Sequence, residues 1–138
     1  SLHLGRLLGP TSLLQPAVAS KEELIRALSR AVAQDRGFPD PDIIYRCALD
    51  REAVVNTYLG DGVAVPHARV PGFDGFAIAI ARSASGFPYG VETSEPVTIV
   101  TLLVGDEAQQ SGHVRYLAAI AGILKDENLR RQILTAAD

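Results

Sequence analysis

Gly60-Asp61-Gly62-Val63-Ala64-Val65-Pro66-His67-Ala68-Arg69 is the stretch from which the rest of the chain can be read. A short apolar run, residues 63–65, follows a Gly-x-Gly turn and ends at Pro66, which predicts a strand that leaves the core and releases His67 at its exit. The glycines permit tight or left-handed turns, and the proline removes a backbone donor while setting its own φ. Such backbone control aims an imidazole outward from the edge of a core, where it serves as a nucleophile or a ligand. A plain strand-to-loop exit is the other reading of the same residues.

Upstream, Ser20-Lys21-Glu22-Glu23 is a capping box, and Leu24, Ile25, Leu28, Ala31 and Val32 follow at helical spacing until Gly37. Asp40-Pro41 opens a second helix, expected to reach about Val54 with Ile44, Cys47 and Ala48 inward. Residues 1–18, broken by Gly5, Gly9, Pro10 and Pro16, read as a turn or short helix leading to an extended segment over 13–18. Residues 56–62 have the composition of a loop.

Downstream, residues 76–81 alternate Phe and Ile with Ala, and residues 97–104 are almost wholly apolar. The second run suits a strand buried on both faces, with helices covering both sides of its sheet. Residues 86–90 form a turn cluster, followed by a polar stretch through Glu95. A third helix begins at Ser111-Gly112-His113, with Val114, Leu117, Ala118, Ala121 and Leu124 as its apolar face, and Asp126 caps a fourth carrying Leu129 and Ile133. The expected fold is α/β, a single domain with a mixed β-sheet flanked by helices on both faces.

The 138 residues suit one domain, with 47% hydrophobic and 21% charged residues. A net charge of -3 without a dense Lys/Arg stretch argues against nucleic acid as a partner. The single Cys47 excludes an internal disulfide and suits a reducing cytoplasm. No apolar run approaches the roughly 20 residues of a membrane span, so direct membrane insertion is not expected. Cytoplasmic localisation follows as the expectation.

His113 stands near the start of the third helix, where the dipole favours an anion; it is either a water-facing helix residue or a partner of His67. Arg51 offers planar, permanent donors suited to phosphate, or else pairs with a neighbouring acid such as Asp50. Arg69 and Arg115 are further cations of either kind, and His3 lies near a terminus. No Cys pair, His-x-x-x-His, Gly-x-x-x-x-Gly-Lys or Gly-x-Ser-x-Gly is present, so metal and nucleotide hydrolysis lack support.

Arg51-Glu52, then residues 57–69 with Pro66-His67, then Gly112-His113 with Leu117, together resemble the signature of the enzyme IIA domains of the bacterial phosphotransferase system, fructose/mannitol type, which includes the nitrogen-regulatory IIA proteins. The resemblance in layout spans residues 8–138. It implies a phosphocarrier in which His67 accepts a phosphoryl group from an HPr-like phosphohistidine protein and passes it to a IIB domain or uses it for regulation. It also implies that Arg51 steadies the phosphate, that His113 hydrogen-bonds or orients His67, and that no cofactor or metal takes part. Ala68 stands where many members have Gly. The chain ends at Asp138 where the family continues, so the expectation is a domain of residues 1–138 that lacks its final helix or is cut from a longer protein. The alternative is a non-catalytic regulatory binding module fused to a transporter or regulator.

Overall fold

A computed structural model describes residues 9–90 and 95–136. The expected turn or short helix at the start of the chain falls largely on residues 1–8, and part of the polar stretch before Glu95 on residues 91–94; both lie outside the described residues. The elements run β1 (Leu13–Leu14), α1 (Lys21–Arg36), α2 (Pro41–Val54), β2 (Tyr58–Gly60), β3 (Val63–Ala64), β4 (His67–Val70), β5 (Phe76–Phe87), β6 (Val97–Asp106), α3 (Gln110–Leu124) and α4 (Glu127–Thr135).

The helix starts follow their local chemistry. The Ser20 hydroxyl accepts from the Glu23 amide, and a Glu23 carboxylate oxygen accepts from the Ala19 amide. Asp40 caps α2 through the Asp42 amide, with Pro41 in the first turn. Asp126 caps α4 through the amides of Asn128 and Leu129. Gly37 ends α1 in the left-handed conformation, φ 65°.

The six strands form one mixed sheet. β5 and β6 pair antiparallel at its centre, and β1 lies parallel to β5 on one side. On the other side of β6, β3 and β4 lie end to end, both parallel to it: Val63 opposite Ile99, His67 opposite Leu103, Val70 opposite Asp106. β5 carries the clearest period-2 logic. Ala77, Ala79 and Ala81 face the core shared with α1 and α2, where small side chains let two helices approach closely. Phe76 and Ile78 face the opposite core, under α3. Leu24, Ile25, Leu28 and Ile44 are fully buried in the first core, and Ile99 and Leu103 in the second. Each such side chain contributes about 1.5–3 kcal/mol through burial. The expected mixed sheet between helical layers is the observed architecture.

Three local expectations need correction. Residues 56–62 are not only loop: β2 pairs antiparallel with β3 around Asp61-Gly62, an Asp-Gly hairpin turn whose residues 60–62 all have positive φ. His67 does not leave the sheet at a strand exit. It opens β4, because the chain keeps its course along β6 through the break at Pro66, whose carbonyl accepts from the Leu103 amide at 3.0 Å. The buried face of α3 is also rotated from the expected one: His113, Ile120 and Leu124 are buried, whereas Val114 and Ala118 are exposed. Apolar residues on two adjacent arcs made that face ambiguous, and contact with β6 decides it.

Gly62 and Gly60 differ in what surrounds them. A Cβ on Gly62 (φ 75°) would lie 2.8 Å from the Pro96 carbonyl oxygen, while one on Gly60 (φ 96°) would meet nothing within 4 Å. Gly60→Ala is expected to cost about 1–2 kcal/mol from backbone conformation alone. Gly62→Ala should cost at least about 1 kcal/mol more through the clash. Urea unfolding of the two variants side by side measures the difference.

Candidate functional site

The site is assembled where the C-terminal turn of α2 meets the start of β4. Arg51, exposed on that last turn, donates from Nε to Nε2 of His67 at 3.0 Å. The Asp50 pairing that its sequence position allowed is not among its contacts in the described residues. Because Nε2 accepts, the neutral ring carries its proton on Nδ1, which is buried on the side of the Val65 backbone carbonyl. His67 is buried at 7% exposure, so it faces a recess rather than open solvent. Burial first, and the Arg51 guanidinium second, hold its imidazole below the ordinary histidine range. The Val65 carbonyl opposes them, while His113 and Arg69 push the same way as Arg51. The ring is therefore a neutral base with a lone pair on Nε2 at neutral pH.

His113 comes from the first turns of α3 and points into the core, fully buried. Its Nε2 lies 3.0 Å from the Asp106 backbone carbonyl, to which it donates, and its ring stands edge-on to Phe76 with centroids 4.9 Å apart. Its hydrogen bond goes to the backbone of β6 and not to His67. Burial lowers its basicity as well, against the pull of the Asp106 carbonyl. His113 belongs to the site as an inner wall, close enough to His67 to disfavour that ring's protonation. Arg115 is exposed on α3, and His3 lies outside the described residues.

Behind Arg51 is a polar cluster that sequence reading passed over. Glu52 pairs with Lys21 of α1 at 2.9 Å, its side chain only 4% exposed. The same carboxylate accepts from the Thr57 hydroxyl and from the Tyr89 hydroxyl at 3.0 Å. The Lys21 ammonium also sits 4.4 Å from the Tyr89 ring centroid. Together these contacts tie the end of α2 to α1, to residue 57 and to the chain beyond β5, and so set where Arg51 leaves its helix. The sequence signal was the adjacency of Glu52 to Arg51, with nothing local to indicate its partners.

Next to His67 lies a shallow depression of about 200 Å³, lined by Val55, Asn56, Thr57, Leu59, Val65, Leu117 and Ala121. Val55 and Leu59, which line it, are large exposed apolar side chains. The described residues include no group of three or more His, Cys, Asp or Glu placed to hold a metal ion. No described helix is long and apolar enough to cross a membrane. The arrangement suits a histidine nucleophile beside a phosphate-binding guanidinium, with an apolar rim for a protein surface.

Comparison with known proteins points the same way. Residues 11–138 match the family described as phosphoenolpyruvate-dependent sugar phosphotransferase system, EIIA 2. A nitrogen regulatory protein of Bradyrhizobium diazoefficiens is 28% identical over 134 residues, covering 96% of this chain and 86% of its own. The fructose-specific EIIABC component of Bacillus subtilis is 28% identical over 116 residues, 84% of this chain but 18% of its own length. Among solved structures, nitrogen regulatory protein IIA-Ntr of Neisseria meningitidis superposes with a TM-score of 0.85 at 24% identity, covering 97% of this chain and 92% of its own. Enzyme IIAMTL of Escherichia coli, in complex with phosphorylated enzyme IIBMTL, gives a TM-score of 0.75 at 23% identity, covering 95% and 90%. At these identities the two structures establish the shared fold.

Two outcomes follow from the geometry. Removing the Arg51 charge (R51Q) should raise the pKa of His67, read by NMR titration of its ring. Both histidines are held below their unfolded value of about 6.5. Protonation therefore favours the unfolded chain, and the stability they contribute is full above that pH and declines as pH falls through it. Thermal unfolding between pH 8 and pH 5 should show this decline, and a smaller one in H67Q.

Proposed function

The chain belongs to the EIIA 2 family of the phosphoenolpyruvate-dependent sugar phosphotransferase system, and from that premise we propose that His67 carries a phosphoryl group between two protein partners. The observation that carries this reading is the 3.0 Å hydrogen bond from Arg51 Nε to His67 Nε2. It supports Nε2 as the reacting nitrogen, with a guanidinium suited to phosphate beside it.

The donor is an HPr-like phosphohistidine protein. Its P–N bond breaks, with the electron pair returning to the donor nitrogen, as the lone pair of His67 Nε2 forms the new P–N bond. Nδ1 keeps its proton through the step, and no metal is required. Phosphoryl transfer asks mainly for in-line approach and for donors around the equatorial oxygens. Arg51 supplies those donors by exchanging Nε2 for the incoming oxygens, which frees the lone pair as the phosphoryl arrives. A neutral imidazole is needed for attack, and the lowered basicity of His67 provides it throughout the physiological range.

The apolar rim of Val55 and Leu59 is the surface on which the donor seats. The IIA–IIB complex formed by enzyme IIAMTL supports a IIB domain as the acceptor. The nitrogen regulatory relative supports the use of the same phosphorylation as a regulatory signal on a target protein. Both settings support a cytoplasmic location for the domain.

Incubation with phosphoenolpyruvate, enzyme I and HPr, or their nitrogen-branch counterparts, followed by intact mass measurement at alkaline pH, tests the proposal. One phosphate per chain on His67 is expected, with none in H67A. R51Q should accept more slowly by about 10²-fold, and H113Q should accept at a reduced rate. Stoichiometric labelling of folded H67A refutes the assignment. No adduct from either active donor set would instead make the domain a regulatory module that binds without phosphotransfer.

A further inference from the structure

The alternation of β4 places a second cation on the reacting face. Ala68 and Val70 are fully buried against the α1/α2 core, so His67 and Arg69, two residues apart, share the other face. In the parallel register Arg69 lies opposite Gly105. A Cβ at Gly105 would stand 3.0 Å from Cε1 of His113 and 2.3 Å from the Phe76 ring, so the space beside Arg69 is occupied by the inner wall of the site.

Arg69 is half-buried, its Nε closed off from solvent without a hydrogen bond, and among the described residues it has no carboxylate partner. The nearby Asp106 carboxylate is engaged with the Ala108 amide. Guanidinium groups drawn out of water are ordinarily paired, because desolvation without a counter-ion is unfavourable. Arg69 acts on both rings, disfavouring protonation of His67 and of His113. An anion formed on His67 would supply the missing partner.

We propose that Arg69 is a second phosphoryl-binding catalytic residue, which engages the oxygens of the group on His67 from β4 while Arg51 engages them from α2. The inference rests on phosphoryl acceptance by His67. Two guanidiniums from separate elements match the dianionic charge of a phosphoryl group better than one. Both interactions strengthen when the group arrives, so Arg69 stabilises the phosphorylated state over the free one. It thereby sets how far the exchange with the donor runs, in addition to its rate.

The test compares wild type, R69Q and R69K in two measurements. The first is the equilibrium of phosphoryl exchange with purified phospho-HPr, or its nitrogen-branch counterpart, whichever labels the wild type. The second is NMR titration of the His67 and His113 rings in the unphosphorylated proteins. R69Q should lower the phosphorylated fraction, with an exchange constant reduced about tenfold, and R69K should recover part of it. Both ring pKa values should rise in R69Q and stay near wild type in R69K. R69Q protein with an unchanged exchange constant, or with both titrations unchanged, overturns the role of Arg69. A wild type that accepts no phosphoryl group from either donor overturns the functional reading and this inference together, which separates the two failures.

Discussion

The parallel pairing of His67–Val70 with the end of β6 is the constraint on which the rest of the site depends. It holds the His67 main chain in the parallel ladder, while the ring meets Arg51 from α2. The pairing continues from β3 across a proline that offers a carbonyl but no amide, so β6 receives an acceptor where the edge strand has no donor to give. Strand alternation then does the sorting. Ala68 and Val70 go to the helical core, and His67 and Arg69 to the face closed by α3. A shift of one residue in this register would bury the histidine beneath α1 and α2 and expose the valine.

Arg51 reaches the ring from a different element, so the site needs the end of α2 to be held as firmly as β4. The buried Glu52 carboxylate supplies that hold through Lys21, Thr57 and Tyr89. A carboxylate so little exposed is tolerable because a cation and two hydroxyls satisfy it. The site thus rests on two layers. The outer layer is Arg51, exposed at the end of α2, with His67 in the recess beneath it; the inner layer is the buried side chains of Glu52 on one side and His113 on the other. His113 is held by its own bond to the Asp106 carbonyl, which keeps its ring near His67 without occupying Nε2 of that residue.

The helices were legible because their signals are local. Ser20 with Glu23, Asp40 with Pro41, and Asp126 each lie within one turn of what they cap. β5 and β6 were legible from period-2 alternation and from a continuous apolar run. The hairpin at Asp61-Gly62 was missed because its strands are too short to carry a periodic pattern, although the Asp-Gly pair was a turn signal. The buried side of α3 was misjudged for a related reason. Leu117 and Leu124 fit both the expected face and the true one, and only the packing of Ile120 and His113 against β6 and Phe76 selects between them.

The layered α/β fold could be read from the chain because capping and alternation are properties of neighbouring residues, and the family resemblance singled out His67, Arg51 and His113 as candidates. Long-range packing settles which nitrogen of His67 meets Arg51, that His113 turns inward to the Asp106 carbonyl, and that Glu52 is anchored by Lys21 and Tyr89. It also settles the placement of Arg69 on the same strand face as His67, since that depends on whether residue 67 ends one strand or begins another. Each of these is a contact between residues far apart in the chain, or a strand register set by a distant partner. The physical reason is the same throughout: direction and burial of a side chain follow from what packs against it.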